Sequence, residues 1–518
     1  MPRVRSWWGW GYEDAALDPV ALAPMVREVL GFELDGDVVA PVPAEAVTLP
    51  EPRVEVPAAA PWSTDPRERL AHAQGKALRD IARALRGRVD HPPDAVAFPR
   101  GEDEVAAVLA WAAEHGVTVI PYGGGTSVVG GIEPRVDGPA VSLDLSRLDR
   151  VLELDDVSRL ARVQAGAAGP VLEEQLGAAG LTMRFFPQSF ELSTVGGWIA
   201  TRAGGHFATG RTHVDDLVAS VRAVTPAGPW ESRRLPGSGA GPSPDRLLLG
   251  SEGTLGVITE AWVRVQPRPE HRESCAVRFA TFAAGAEAVR AVVQSGLTPA
   301  NLRLVDALEA QQTGAGDGSH ALLVLGFEAT GVTVVHLLEQ ALALCAEHGG
   351  TWEGHAVGRG GDTAVGAWRD AFLTMPYLRD ALLRLGVISE TFETAVPWDR
   401  FGALHEAVNG AVRDAVGGPC RVTCRFTHVY PDGPAPYFTV LAPAVRGGEV
   451  EQWDRIKAAA SEALHQAGGT ITHHHAVGRD HRPWYDRQRP EPFAAALRAA
   501  KAALDPAGML NPGVLMDP

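Results

Sequence analysis

Residues 121–131 carry the clearest chemical signal in this sequence and read PYGGGTSVVGG. Consecutive glycines tolerate unusual backbone dihedrals and let a ligand approach closely, so several backbone N–H groups can converge on one phosphate. A Rossmann loop would need G-x-G-x-x-G at the start of a helix, and the residues that follow here are poor helix formers. The segment therefore predicts a phosphate cradle formed by Pro121, Gly123, Gly124, Gly125, Thr126, Ser127 and Val128.

Two more segments rich in glycine and hydroxyl side chains follow, at residues 187–198 (PQSFELSTVGGW) and 250–258 (GSEGTLGVI). One such loop is often a plain turn. Three in this order are specific enough to predict one extended dinucleotide site. Its candidate residues are Gln188, Ser189, Ser193, Thr194 and Gly197 in the second segment, Thr201, Arg202 and Ala203 directly after it, and Glu252, Gly253, Thr254, Gly256, Val257 and Ile258 in the third.

A histidine triplet, His473, His474 and His475, lies near the carboxyl end. Neighbouring residues on a strand point to opposite faces, so at most two of these rings could meet one ion. No spaced carboxylate or cysteine completes a ligand set, and we predict no metal site. The four cysteines are too few for a disulfide framework in a chain of 518 residues.

Periodicity predicts the elements that hold these segments. Apolar residues at helical spacing predict a helix over 65–86, and a β-α-β run over 95–120 leads directly into the first glycine loop. Six prolines between residues 40 and 62 preclude a regular helix and suggest an extended strap or a linker. After residue 270, strand-like and helix-like segments alternate, as in a second α+β domain.

Charge and length limit the class of protein. The net charge of −16 repels nucleic acid and argues against broad adhesion to anionic lipid, although a local face for peripheral membrane contact stays open. The sequence has no transmembrane segment, and the aromatic amino terminus lacks the pattern of a signal peptide, so we expect a cytoplasmic protein.

The three loops resemble the vanillyl-alcohol-oxidase-type FAD-binding domain, in which the dinucleotide lies between two α+β subdomains beneath a separate cap. Within that superfamily the chain resembles the alkyldihydroxyacetonephosphate synthase family. The F-E-T-x-x-P-W-D-R string and the histidine triplet are the most telling matches. The matched segments are WGWGY (8–12), TRA (201–203), NLRL (301–304), PYLRD (376–380), ETFETAVPWDR (390–400), CRVT (420–423) and HHH (473–475).

The resemblance implies an α+β fold with an extension (1–90), a two-subdomain FAD-binding domain (91–270), an α+β cap or substrate domain (271–455) and a terminal segment returning to the flavin (456–518). It implies noncovalent FAD, although His206 and His213 are candidates for covalent attachment, and it suggests a homodimer. The implied reaction exchanges the acyl chain of acyl dihydroxyacetone phosphate for a fatty alcohol through a flavin N5 adduct, as in ether lipid synthesis.

The implied active-site residues lie in the cap and the terminal segment. Tyr437 would transfer the substrate proton, and we expect nearby cations to lower its pKa. His474 and His475 would orient the substrate, with His473 less clearly placed. Arg379 and Arg303 would stabilise phosphate or reduced-flavin charge, since a guanidinium is a permanently charged donor fork.

Two departures keep other substrates open. Gln188 stands where better-known family members carry an acidic residue, and their long apolar loop is replaced by the short polar interval 311–320. The alternative is a 2-hydroxy acid dehydrogenase or oxidase of the lactate or glycolate type, which would use an arginine for the carboxylate and a histidine as base. A non-enzymatic sensor or scaffold fits poorly with the many His, Tyr and Arg candidates outside the loops.

Overall fold

The computed structural model describes residues 3–34, 36–353, 356–357 and 364–517, with side chains omitted for 356–357 and 364–373. Its strands form three main sheets and one two-stranded ribbon. None of the helices in this described part is long and apolar enough to cross a membrane.

The first sheet has the strand order β1-β2-β4-β3, and β2, β3 and β4 run parallel. The β-α-β prediction is confirmed, because α4 lies between β2 and β3 and buries Val105, Val108 and Leu109. The first glycine loop begins where β3 ends. The bounds are β1 Trp62–Ser63, β2 Ala95–Ala97, β3 Thr118–Tyr122 and β4 Ala140–Asp144, with α1 Pro19–Met25, α2 Pro66–Ala71, α3 Leu78–Leu85 and α4 Glu102–His115.

The second sheet is antiparallel, in the order β5-β6-β10-β8-β9, and α5 and α6 cover its apolar face. A ribbon of β7 and β11 lies beside it. The bounds are β5 Val151–Asp155, β6 Leu160–Gln164, β7 Leu181–Thr182, β8 Val218–Thr225, β9 Gly228–Glu231, β10 Val257–Arg264 and β11 Gln266–Pro267, with α5 Gly169–Gly177, α6 Val195–Thr201 and α7 Asp245–Leu248.

The third sheet, here called the cap sheet, is antiparallel in the order β15-β12-β14-β13-β17-β18-β16. Its strands are β12 His271–Phe279, β13 Asn301–Val305, β14 Ala321–Ala329, β15 Ala356–Val357, β16 Val387–Glu393, β17 Arg421–Tyr430 and β18 Gly433–Pro443. The helices of this half are α8 Phe282–Gln294, α9 Ala307–Gln312, α10 Val335–Glu347, α11 Ala364–Leu385, α12 Trp398–Val416, α13 Glu449–Gln466, α14 Arg482–Gln488 and α15 Glu491–Leu504.

The two-residue period of the strands gives the cap sheet two different faces. On β17, Val422, Cys424 and Phe426 pack into an apolar core with α8 and α12, and Leu302 and Leu304 of β13 join the same core. The intervening side chains point to the other face, which carries polar and charged groups. That face forms one wall of a cavity.

The single helix predicted over residues 65–86 is wrong. The chain forms α2 and α3, and the break between them brings the Lys76 backbone N–H within 2.6 Å of the Ser127 carbonyl oxygen, to which it donates. A Cβ on Gly75 would lie 2.3 Å from that same oxygen. A tertiary contact with the glycine loop thus overrides helical periodicity here.

The proline-rich segment is a strap rather than a mobile linker. Val42 N–H donates to the Leu85 carbonyl, and the Arg53 guanidinium pairs with the buried carboxylate of Asp94 at 2.9 Å. One short 3₁₀ turn, Ala44–Ala46, is its only regular helical element within the described residues. The strap therefore ties α3 to the first sheet.

Candidate active site

A cavity of about 380 Å³ lies where the glycine loops meet the polar face of the cap sheet. All seven candidates of the first loop line it, together with most candidates of the other two loops. Tyr437, Arg303, Arg379, His474 and His475 line it from the cap sheet, α11 and the terminal segment. Residues far apart in sequence therefore converge on one chamber.

The first loop provides a set of unused backbone donors. Gly125 has φ +68°, and a Cβ there would lie 2.0 Å from the Tyr122 hydroxyl oxygen. Within the described part of the chain, no hydrogen bond is donated by the backbone N–H groups of residues 123–128. Since buried backbone donors are rarely left unpaired, this strand-to-loop turn fits the pyrophosphate of a dinucleotide such as FAD.

The second loop leads into α6, whose first turn is capped by the Thr194 side chain accepting from Gly197 N–H. Arg202 is the one candidate of this segment that lies outside the cavity. It ends α6 with φ +51°, and its guanidinium forms an ion pair with Asp215 at 2.8 Å. The cavity-lining members are Gln188, Ser189, Ser193, Thr194, Gly197, Thr201 and Ala203.

The third loop contributes Glu252, Gly253, Gly256 and Ile258 to the cavity wall. Thr254 and Val257 point elsewhere: the Thr254 hydroxyl donates within its own turn to the Ser251 carbonyl, and Val257 packs in the core of the first sheet. Both side chains stabilise the loop and do not line the cavity.

Glu252 joins the third loop to the terminal segment. Its carboxylate accepts from the backbone N–H groups of Val477 and Gly478 at 2.9 and 2.8 Å. Burial raises the pKa of Glu252 to about 7, although these two hydrogen bonds act in the opposite direction. The segment after the histidine triplet is thus fastened to a cofactor loop.

Asn511 is a cavity residue that sequence reasoning missed. Its side-chain amide donates to the carbonyl oxygens of Gly131 and Glu252, at 2.9 and 2.8 Å. It therefore bridges the first and third loops from the end of the chain. Its only local signal is a position in an Asn-Pro-Gly turn, which many surface loops share.

Arg425 is the most prominent residue that the sequence analysis did not single out. Its guanidinium donates to the Glu309 carboxylate at 2.6 Å, and both side chains are almost fully buried. The guanidinium carbon also lies 3.9 Å from the centre of the Tyr437 ring, a cation–π distance. The family motif was matched to Arg421, whose guanidinium donates to the Leu30 carbonyl. The same C-R-x-T pattern recurs four residues later and contains Arg425.

The expected lowering of the Tyr437 pKa is wrong for this structure. The hydroxyl is buried, and burial raises the pKa of Tyr437, with Arg425 opposing the shift only in part. Arg303 lies on β13, which pairs with β17, and burial lowers its pKa to about 9. Arg379 donates to the Lys76 carbonyl at 2.7 Å and pairs with Asp380.

The histidine triplet does not form a strand. It bends around the buried carboxylate of Glu393, the last residue of β16, which accepts from the backbone N–H groups of all three histidines and from the Thr472 hydroxyl. The expectation that no carboxylate accompanies the triplet is therefore wrong. Burial alone would raise the pKa of Glu393, but the histidines and Thr472 hold it well below its usual value.

The triplet separates two cavities. His474 and His475 line the cavity of about 380 Å³ described above, here called the flavin-side cavity. His473 lines a second cavity of about 440 Å³, together with His213 and Arg202. His428, buried on β17, has a ring nitrogen within 4.8 Å of those of His473 and His474. Burial lowers the pKa of His473, His474 and His475, against the opposing effect of the Glu393 carboxylate, and so favours their neutral forms.

Comparison with known proteins gives two family matches. Residues 93–232 match the family described as FAD binding domain, and residues 268–515 match FAD linked oxidases, C-terminal domain. The predicted FAD cofactor and flavoenzyme fold are confirmed by these matches. The boundaries drawn at residues 90, 270 and 455 stay predictions.

Individual relatives include both synthases and an oxidase subunit. The chain is 30% identical to the alkyldihydroxyacetonephosphate synthase of Caenorhabditis elegans, over 99% of this chain and 96% of that protein. A solved structure of an alkyldihydroxyacetonephosphate synthase superposes with a TM-score of 0.82 at 26% identity, covering 98% of both chains. The glycolate oxidase subunit GlcD of Bacillus subtilis (strain 168) is 28% identical over 81% of this chain and 88% of its own length.

Proposed function

The chain belongs to the alkyldihydroxyacetonephosphate synthase family, and on that premise we propose that it replaces the acyl chain of an acyl dihydroxyacetone phosphate by a fatty alcohol. One observation carries the proposal. The cavity that the three FAD loops line is closed by a wall of Tyr437, His474, Arg425 and Arg303, which combines a proton-transfer group with cations for a phosphate. The alternative, oxidation of a 2-hydroxy acid, has less support from the relatives.

FAD would be held by the backbone donors of residues 123–128, the second loop and the third loop. When bound, FAD supplies a nucleophilic N5 and an electron reservoir. We propose noncovalent binding, because His206 lies outside the cavity lining and His213 lines the second cavity. Acid precipitation should then release free FAD, and a yellow pellet would contradict this.

The exchange involves no net oxidation. The bond from the dihydroxyacetone-phosphate carbon to the acyl oxygen breaks, the alcohol oxygen bonds to that carbon, and a fatty acid leaves. Tyr437 would exchange a proton with that carbon, His474 and His475 would orient the substrate, and Arg303, Arg379 and Arg425 would hold the phosphate or compensate negative charge.

An apolar end of the cavity provides room for an aliphatic chain. Met25, Leu30, Leu378, Leu382 and Leu441 line it, from α1, the π-helical segment Val26–Leu30 that follows it, α11 and β18. The short polar interval 311–320 contributes Gln312 and Thr313 to the same cavity. We therefore propose that the amino-terminal extension and α11 hold the fatty chain, in place of a long apolar loop.

The deciding experiment is incorporation of labelled fatty alcohol into alkyl dihydroxyacetone phosphate by the FAD-loaded protein. Tyr437→Phe should keep FAD and lose turnover by at least about 100-fold, the usual contribution of a general acid–base group. A Tyr437→Phe protein with full ether-forming turnover would remove the proton-transfer role. Anaerobic bleaching of the flavin by lactate or glycolate, without alcohol incorporation, would favour the alternative.

We also propose a homodimer located in the cytoplasm. The family suggests the dimer. Light scattering of the purified protein and fractionation of the source cells test the two statements separately.

A further inference from the structure

Four polar groups form a continuous hydrogen-bonded chain between the two cavities. The His474 Nδ1 lies 3.1 Å from the His473 Nδ1, and the His473 Nε2 lies 3.0 Å from the His213 Nε2. The His213 Nδ1 in turn lies 3.1 Å from the Arg202 carbonyl oxygen, at an exposed position. Three imidazoles thus connect the flavin-side cavity to the second cavity.

The outer end of this chain sets the direction of its hydrogen bonds when the Tyr430 hydroxyl, which also lies 2.7 Å from the His473 Nε2, donates to the Thr212 hydroxyl. A carbonyl oxygen only accepts, so the His213 Nδ1 carries hydrogen and the His213 Nε2 of the neutral ring accepts. The His473 Nε2 must then donate, and its Nδ1 accepts from the Nδ1–H of His474. The remaining basic nitrogen is the Nε2 of His474, whose ring lines the flavin-side cavity.

We infer that His213, His473 and His474 form a proton relay between the reaction cavity and the solvent of the second cavity. The inference rests on the proposed function, in which an ester becomes an ether and a carboxylic acid is released. That acid ionises well below pH 7, so one proton leaves the buried site in each turnover. A neutral imidazole accepts a proton on one nitrogen and releases the proton of the other.

The relay moves one proton without changing any other bond. A proton arriving at the His474 Nε2 displaces the Nδ1 proton to His473, whose Nε2 proton moves to His213, whose Nδ1 proton leaves to solvent. Burial lowers the pKa of each of the three rings, which favours their neutral forms between transfers. Rotation of the imidazoles then restores the starting tautomers without returning the proton, so each cycle moves one proton outward.

Tyr430 is a side branch rather than a member of the relay. Its hydroxyl lies 2.7 Å from the His473 Nε2 and 2.8 Å from the Thr212 hydroxyl. Burial raises the pKa of Tyr430 to about 12, so it keeps its proton. Tyr430→Phe therefore serves as a matched control that leaves the three imidazoles in place.

Nitrogen-15 NMR of histidine-labelled protein, without substrate, tests the hydrogen-bonded chain independently of activity. We expect Nδ1–H tautomers for His213 and His474 and an Nε2–H tautomer for His473, with couplings across both N–H···N bonds. An Nε2–H tautomer of His213, or the absence of both couplings, would overturn the relay.

Turnover of the FAD-loaded enzyme tests the transfer itself. His213→Gln can keep the hydrogen bonds but cannot pass a proton, and His213→Ala leaves space for free imidazole. Both should slow ether formation by about 100-fold, the lower end of what a proton-transfer group contributes. Imidazole should restore the rate of His213→Ala in proportion to its concentration, while Tyr430→Phe stays near wild type.

The outcomes separate the relay from the proposed function. A wild-type rate in His213→Gln, or a loss in His213→Ala that imidazole does not reverse, refutes the relay even if ether is formed. An unchanged flavin spectrum in each variant excludes a folding defect. If the wild-type protein forms no ether, the proposed function fails, and the NMR tautomers still decide whether the relay exists.

Discussion

One carboxylate oxygen of Glu393 lies 3.1 Å from the backbone nitrogen of His474 and accepts its hydrogen bond. The same carboxylate accepts from the backbone N–H groups on either side, so the path of the triplet is set by the final residue of β16. Because Glu393 is only 1% exposed, few competing water contacts weaken this arrangement. Glu393 therefore acts as a positioning residue for the two histidines that line the flavin-side cavity.

Replacing Glu393 with Gln should reduce turnover by at least about 10-fold, since the amide NH2 that replaces one carboxylate oxygen donates and cannot accept from the N–H group it would face. The carboxylate raises the pKa of His474 against the larger effect of burial, so removing the charge lowers that pKa further. An acidic limb of the pH–rate profile governed by His474 should therefore move to lower pH. Glu393→Asp should partly restore turnover, and Glu406→Gln, at an exposed position on α12, is the control.

Replacing Arg425 with Met should destabilise the protein by about 3–5 kcal/mol, because it leaves the Glu309 carboxylate buried without its cation. Urea denaturation measures the change. The double variant Arg425→Met/Glu309→Gln should recover much of the loss, and Arg421→Met on the same strand should cost far less. Equal losses for Arg421→Met and Arg425→Met would contradict the importance of this pair.

Replacing Gly125 with Ala should abolish stable FAD binding. The residue has φ +68°, and the added Cβ would lie 2.0 Å from the Tyr122 hydroxyl oxygen, so the turn that presents the backbone donors must distort. Flavin absorbance per protein measures the effect. Gly138→Ala is the matched control, because nothing lies within 4 Å of its Cβ, and it should retain FAD.

Glu252 should make stability depend on pH. Its pKa is raised to about 7 in the folded state, so its contribution to stability is fully present below its usual pKa of 4.5 and is lost as pH rises through about 7. Glu252→Gln removes this dependence. The loss of unfolding free energy between pH 5 and pH 8 should be smaller in the variant by about 2 kcal/mol. An identical pH dependence in both proteins would show that Glu252 is not the titrating group.

Local sequence patterns were sufficient to predict the cofactor loops, the β-α-β run over 95–120 and the alternation of strands and helices after residue 270. Glycine runs restrict where a phosphate can approach, and local apolar patterns distinguish strand-like from helix-like segments. Both signals lie among residues adjacent in sequence, where dihedral freedom and strand geometry operate. The helix over 65–86 failed because the contact that breaks it, from Lys76 to Ser127, involves a distant loop.

The sequence by itself determined that this chain carries a three-loop FAD site and a set of His, Tyr and Arg candidates. Only the tertiary structure decided which carboxylates accept hydrogen bonds from the backbone of these segments and fix their positions. Glu393 is 81 residues from His474, and Glu252 is 225 residues from Val477. A carboxylate that accepts backbone N–H groups leaves no spacing pattern, because any residue except proline supplies the same donor. Likewise, Arg421 and Arg425 share one strand face, and only the packing of β17 against Glu309 and Tyr437 places Arg425 in the site.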